Sequence, residues 1–140
     1  MNPIKILVVE DEVIVAQDIA GRLKKLGYQV IATVSSGEEA MEKINENPPN
    51  LVLMDIVLKG DMDGITAAEI IDSKMNVPIV FLTAYADRKT LEKAKLTNPF
   101  GYLVKPLQQK DLRVAIEIAL QQHEIEMKMQ QDLKASEAVR

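Results

Sequence analysis

The sequence predicts an α/β fold: a doubly wound, five-stranded parallel sheet in the order 2-1-3-4-5, with helices on both faces. Three observations predict it. Short runs rich in Ile and Val alternate with longer stretches of helical period, and there are five of each. The first, third, fourth and fifth apolar runs lead directly into Glu10-Asp11-Glu12, Asp55, Thr83 and Lys105. In a parallel sheet those residues gather at one edge, beyond the carboxyl ends of the strands, where open α/β sheets bind ligands.

The strands read as Lys5–Val9 (KILVV), Gln29–Val34 (QVIATV), residues 51–54 (LVLM), residues 78–82 (PIVFL) and residues 102–104 (YLV). The first helical pattern puts Val13, Ala16, Ile19, Ala20 and Leu23 on one face and closes at Gly27. A second opens at Ser36, an N-cap with Glu39 three residues on. The third begins after Asp63-Gly64, with Ile65, Ala68 and Ile71 inward. A fourth runs roughly over residues 87–95, and the fifth starts near Gln109. Strict alternation with right-handed crossovers gives a (βα)5 three-layer sandwich of the flavodoxin-like kind.

With 140 residues and 47% apolar content, the chain can bury one sizeable core. No apolar run approaches the ~18 residues of a membrane span. The opening MNPIKILVVEDE lacks the long apolar segment of a signal peptide, so a soluble, cytoplasmic protein is expected. Zero Cys and one His exclude disulfides, thiolate zinc sites and multi-histidine metal sites. The net charge is -4, with 17 basic residues against 21 acidic ones and no basic block, so direct nucleic-acid binding is not expected.

One stretch carries the chemistry. In LVLMDIV, Asp55 continues an otherwise apolar strand, where a charge needs a partner or a metal. Glu10-Asp11-Glu12 follow the first strand, Thr83 the fourth and Lys105 the fifth. Each has a plain reading when taken singly. Asp11 or Glu12 caps the first helix, Thr83 ends a strand, and Lys105 is a solvated charge. Taken together, the strand order sets Asp11 beside Asp55 at the switch point between the first and third strands. Carboxylates so gathered repel one another unless a cation neutralises them, and hard oxygen donors select Mg2+, Mn2+ or Ca2+.

VVEDE, LMDIVLKGDMDG, VFLTAYA and GYLVKP stand in this order at these strand ends, and from about residue 4 to residue 120 the chain resembles the receiver domain of two-component response regulators. The resemblance implies that Asp55 accepts a phosphoryl group from a histidine kinase or a histidine phosphotransfer protein. It implies Mg2+, with Mn2+ as a substitute, ligated by Asp11, Asp55 and the Val57 carbonyl, with Glu10 acting through a water. Thr83 and Tyr102 match the switch pair. Lys105 matches the lysine that contacts the phosphoryl oxygens, and the bond before Pro106 is typically cis in the family. Such a domain is a signalling module whose only catalysis is its own phosphorylation and slow dephosphorylation. Val57 and Tyr85, the residues two beyond Asp55 and Thr83, flank the path of the attacking water in the family and bear no group to orient it, which predicts slow hydrolysis. The alternative is a degenerate receiver that acts as a phosphorylation-independent interaction module. A haloacid-dehalogenase-like phosphatase needs D-x-D after the first strand, and Asp11-Glu12-Val13 fails that pattern.

Two features fall outside the common pattern. Asp55 and Gly64 are nine steps apart rather than the usual eight, and Lys59 stands where Pro is frequent, so a locally altered loop with a tight turn at Gly60 is expected. Asp61 and Asp63 in that loop read as loop polarity and an N-cap rather than as ligands. The tail, residues 122–140, contains no Gly or Pro and reads as a helical linker continuing the fifth helix beyond a receiver at residues 1–121. Ile118, Ile125, Met129 and Leu133, spaced by seven, four and four, form a stripe suited to a two-helix seam. A homodimer through the face of the fourth and fifth helices, or through this C-terminal helix, follows as an expectation. His123 reads as a solvated helix residue. The ending LKASEAVR resembles linkers that join receivers to PAS modules, a resemblance that would make the chain an N-terminal part of a longer protein.

Overall fold

Continuous apolar runs make strands buried on both faces, and β1 (Lys5–Val9), β3 (Leu51–Asp55) and β4 (Ile79–Thr83) take the centre of the sheet. The less apolar β2 (Gln29–Val34) and the short β5 (Gly101–Val104) form its edges. The computed structural model describes residues 3–58, 60–84, 92 and 100–138. All four strand pairings are parallel and the order is β2-β1-β3-β4-β5, as predicted. Apart from Glu92, the fourth helical pattern over residues 87–95, together with Lys59 and Tyr85, lies outside the described residues.

Alternation along the strands divides the core in two. Leu7, Val9, Val52, Met54, Ile79 and Phe81 pack with Ile44, Ile65 and Ile71 from α2 (Gly37–Glu46) and α3 (Gly64–Lys74). Ile6, Val8, Leu51, Leu53, Val80 and Leu82 pack with Ile19 and Leu23 of α1 (Val13–Lys25) and with Leu112, Ile116 and Ala119 of the C-terminal helix (Gln109–Ala138). This is the doubly wound arrangement.

Helix ends follow their residues. Ser36 Oγ accepts from the Glu39 N–H at 3.2 Å, while the Glu39 carboxylate takes the Ser35 hydroxyl instead of closing a reciprocal box. Asp63 Oδ1 accepts from the Thr66 N–H at 2.7 Å, and Gly27 adopts φ +95° just past α1. Val13 does not join the buried face of α1; it is 67% exposed, and only Ala16, Ile19, Ala20 and Leu23 of that face are buried. Glu12 holds the N-cap position without a side-chain hydrogen bond, so α1 begins just past the acidic edge and its first turn projects beyond the sheet.

Candidate functional site

Three strand ends deliver the polar residues to one edge. Glu10 follows β1 and is tied to β2 by its N–H, which donates to the Val34 carbonyl at 2.9 Å. Asp55 is the last residue of β3, in register with Leu82 of β4. Lys105 follows β5, and its N–H donates to the Thr83 carbonyl at 2.8 Å. The Lys105–Pro106 peptide bond is cis. Strand register thus brings residues 10, 55 and 105 together although they lie far apart in the chain.

Glu10 and Asp55 are buried and Asp11 is half-buried, and a carboxylate oxygen from each lies within 4.8 Å of the other two. Lys105 Nζ donates to Asp55 Oδ2 at 2.7 Å and also to Glu10 Oε1. The other Asp55 oxygen, Oδ1, accepts from the Val57 N–H at 3.0 Å, and Glu10 Oε2 accepts from the Glu12 N–H at 3.4 Å. Burial first, and then its shared contact with Asp55, push the Glu10 carboxyl up to about 7, against the lowering pull of Lys105. Burial works against the Lys105 charge, but the carboxylates of Asp55 and Glu10 outweigh it and raise its pKa. Three carboxylates face one ammonium, which leaves the cluster short of positive charge. An all-oxygen donor set at this spacing, with no His or Cys beside it, fits a hard divalent cation such as Mg2+ or Mn2+.

Thr83 ends β4 and is buried. Tyr102 sits on β5 opposite Phe81, with ring centroids 6.1 Å apart, so Thr83 and Tyr102 share one face of the sheet two positions apart. The Tyr102 hydroxyl is buried with no hydrogen-bond partner among the described residues, and burial raises its pKa. Asp61 and Asp63 are exposed and lie outside the carboxylate cluster; Asp63 is the α3 cap.

Sequence reasoning missed two features. Gly64 seats the start of α3 directly against the acceptor strand: its N–H donates to the Ile56 carbonyl at 2.9 Å, and a Cβ there would run into the Asp55 carbonyl oxygen. Gly60 in the intervening loop takes φ +97°, the tight turn expected of it. Val13 and Ile14, 67% and 83% exposed, stand beside the site, where Ile14, Ile19, Ala84, Pro106 and Leu107 help line a largely apolar cavity of about 410 Å³ that reaches Lys105. The only signal for this in the sequence was two apolar residues following an acidic triplet.

Residues 6–117 match the family described as the response regulator receiver domain. The chain belongs to that family. The receiver is 40% identical over 118 residues to the transcriptional regulatory protein PdtaR of Mycobacterium tuberculosis, a match covering 84% of this chain and 57% of the relative. It therefore spans little more than half the length of that curated relative. Among solved structures it is similar to the signal receiver domain of a modulated diguanylate cyclase from Desulfovibrio desulfuricans, at 36% identity and a TM-score of 0.84, covering 89% of this chain and 99% of the other. It is also similar to the N-terminal domain of a three-domain response regulator/sensory box/GGDEF protein from Carboxydothermus hydrogenoformans, at 38% identity and a TM-score of 0.80, covering 88% and 98%. Response regulator receivers are signalling domains of two-component systems. No helix among the described residues is long and apolar enough to cross a membrane.

Proposed function

We propose that this receiver takes a phosphoryl group onto Asp55 from a phosphohistidine on a histidine kinase or a histidine phosphotransfer protein, and that the acylphosphate switches its surface. The observation that carries the proposal is the edge cluster itself: three carboxylates within 4.8 Å of one another, with Lys105 Nζ bonded to both Asp55 and Glu10. Asp55 attacks phosphorus through a carboxylate oxygen, and as the P–O bond forms the breaking P–N bond leaves its electron pair on the imidazole. The Val57 N–H fixes Oδ1 and thereby the direction in which the carboxylate faces. The Lys105 ammonium, already at the acceptor, meets the charge on the transferring oxygens.

Glu10, Asp11, Asp55 and the Val57 carbonyl would hold Mg2+, or Mn2+ in its place. Bound there, the ion supplies the positive charge that the cluster lacks and that the phosphoryl oxygens require. Thr83 then offers its hydroxyl to the new oxyanion. Leaving a buried hydroxyl unpaired costs roughly 1–3 kcal/mol, so the inward Tyr102 ring is held by its stacking on Phe81 and has a polar group to satisfy by turning. Exposed Val13 and Ile14, beside the apolar cavity at Pro106 and Leu107, give the phosphodonor a docking edge next to Asp55. Residues 1–121 form the receiver and residues 122–140 the linker, an arrangement supported by the relative that is the N-terminal domain of a three-domain protein.

Incubation with acetyl phosphate and Mg2+ should add the mass of one phosphoryl group to the intact chain, and EDTA should prevent it. An unmodified chain in the presence of Mg2+ would refute the reading. The side chain of Val57 is 71% exposed beside the acceptor and cannot orient water. Val57→Asn is therefore expected to shorten the phosphoryl lifetime roughly tenfold. An unchanged decay of the labelled chain after donor removal would exclude that role.

A further inference from the structure

The segment between Asp55 and Gly64 holds one residue more than the common pattern, and both of its ends are fixed. Asp55 sits in the ladder opposite Leu82, and the Gly64 N–H is tied back to the Ile56 carbonyl at 2.9 Å. Nor is α3 free to slide and take up the slack. Just past its end, Asn76 grips the C-terminal helix: His123 Nε2 lies 3.2 Å from Asn76 Oδ1, the Asn76 amide meets the Met127 sulfur, and the His123 ring stands edge-on to Phe100 at 5.8 Å. His123 is thus a seated residue rather than a solvated one. The extra length is therefore absorbed between residues 57 and 62, where Gly60 makes its left-handed turn and where Val57, Gly60 and Asp61 are exposed. Among the described residues of that stretch, two side chains go inward instead, one on each side of the turn. Leu58 is buried in the core, and Met62 packs against the same core cluster.

Met62 has a seat shaped for it. Gly37 opens α2, and a Cβ there would lie 2.9 Å from Met62 Sδ, 3.4 Å from Met62 Cγ and 2.8 Å from Ala67 Cβ of α3. The missing side chain leaves a notch between α2 and α3, and the unbranched thioether of Met62 enters it. Val57 has no such hold of its own: its side chain is 71% exposed, yet its N–H stands on Asp55 Oδ1 at 3.0 Å. We propose that Met62 is a positioning residue for phosphoryl acceptance, which pins the lengthened loop in the Gly37 notch and so keeps Val57 aligned on Asp55 and on the ion. The proposal rests on the reading of Asp55 as the acceptor. Leu58 anchors the loop on one side of Gly60 only. With Met62 truncated, the glycine turn loses its second anchor, the loop pivots about Leu58, and Val57, the immediate neighbour of that pivot, turns with it. Met62 acts through Val57 rather than on the reacting atoms.

Met62→Ala is expected to slow labelling by acetyl phosphate and Mg2+ about tenfold, and to weaken Mn2+ binding, read by EPR of the free ion, by a similar factor. Met62→Leu, which refills the notch, should restore most of both. Met41→Ala controls for packing alone. Met41 of α2 is half-buried against the same core cluster but lies outside the loop, so its truncation should lower Tm comparably while labelling and Mn2+ affinity stay as in the unmodified chain. Normal labelling and Mn2+ affinity in a folded Met62→Ala chain, or equal losses in Met41→Ala, would overturn the role of Met62 alone. If Met62→Ala does not fold, Met62→Val, a smaller truncation, is read in the same way. An unmodified chain that takes up neither ion nor phosphoryl group would overturn this role together with the reading of Asp55 beneath it.

Discussion

Asp55→Asn is expected to abolish labelling by acetyl phosphate, with a rate loss of at least the order of 10⁴-fold, because it removes the nucleophile itself and not an assisting group. The substitution is nearly isosteric. Asn retains Oδ1, so the contact from the Val57 N–H at 3.0 Å survives, and Lys105 keeps its partner in Glu10. What is lost is the charged oxygen now bonded to Lys105 at 2.7 Å. Asp61→Asn, at an exposed carboxylate outside the cluster, should label at the normal rate. The comparison separates attack by one buried carboxylate from general acylation of surface acids. Stoichiometric labelling of the Asp55→Asn chain at the unmodified rate would remove Asp55 from the role proposed for it.

Gly64→Ala should destabilise the fold by about 3 kcal/mol, a penalty at the upper end for overpacking, and lower Tm by about 10 °C. A Cβ at this position meets the Asp55 carbonyl oxygen and comes within 2.9 Å of both the Asp55 carbonyl carbon and Ile56 Cα. All three are backbone atoms of the acceptor strand and its exit, so no flexible side-chain end can yield. Either α3 lifts or Asp55 moves, and the phosphorylation rate should fall with stability. Gly21→Ala is the internal comparison. Gly21 lies within α1 with nothing within 4 Å of an added Cβ, so alanine there should stabilise by about 0.5–1 kcal/mol through helix propensity alone. If the two substitutions shift Tm alike, close packing of α3 beneath the acceptor is not the reason for Gly64.

The strands and their order could be read from composition because buried parallel strands are continuous apolar runs, and such runs are hard to mistake when helices separate them. Strand ends were read less well. β3 and β5 each differ by one residue at one end and β4 by one at both; Asp55 and Thr83 look like loop residues yet still sit in the ladder, opposite Leu82 and Val104. The gathering of Glu10, Asp11 and Asp55 followed from topology; the double contact of Lys105 did not, because a side chain's reach across the edge has no periodicity to betray it. Val13 was misplaced for a related reason. Helical period assigns an apolar residue to the inner face, but the first turn of α1 overhangs the edge of the sheet and has no core beneath it. Gly64 and His123 show the same limit: one is defined by what a missing atom leaves room for, the other by a neighbour 47 residues away in the chain.

The C-terminal helix is a single rod from Gln109 to Ala138, about 45 Å long at ~1.5 Å per residue. Among the described residues its last seating on the body is at Met127, which makes that turn a fulcrum and leaves an arm of roughly 16 Å beyond it. A tilt of about 5° at the fulcrum carries the tip sideways by roughly 1.5 Å, the size of the helix shifts that accompany switching at interfaces. The body's contact at that turn is Asn76, which meets both His123 and Met127 from the short connection between α3 and β4, at the opposite end of the sheet from the acidic edge. A displacement too small to notice at the base of the rod therefore becomes, at its far end, the difference between one set of contacts and the next.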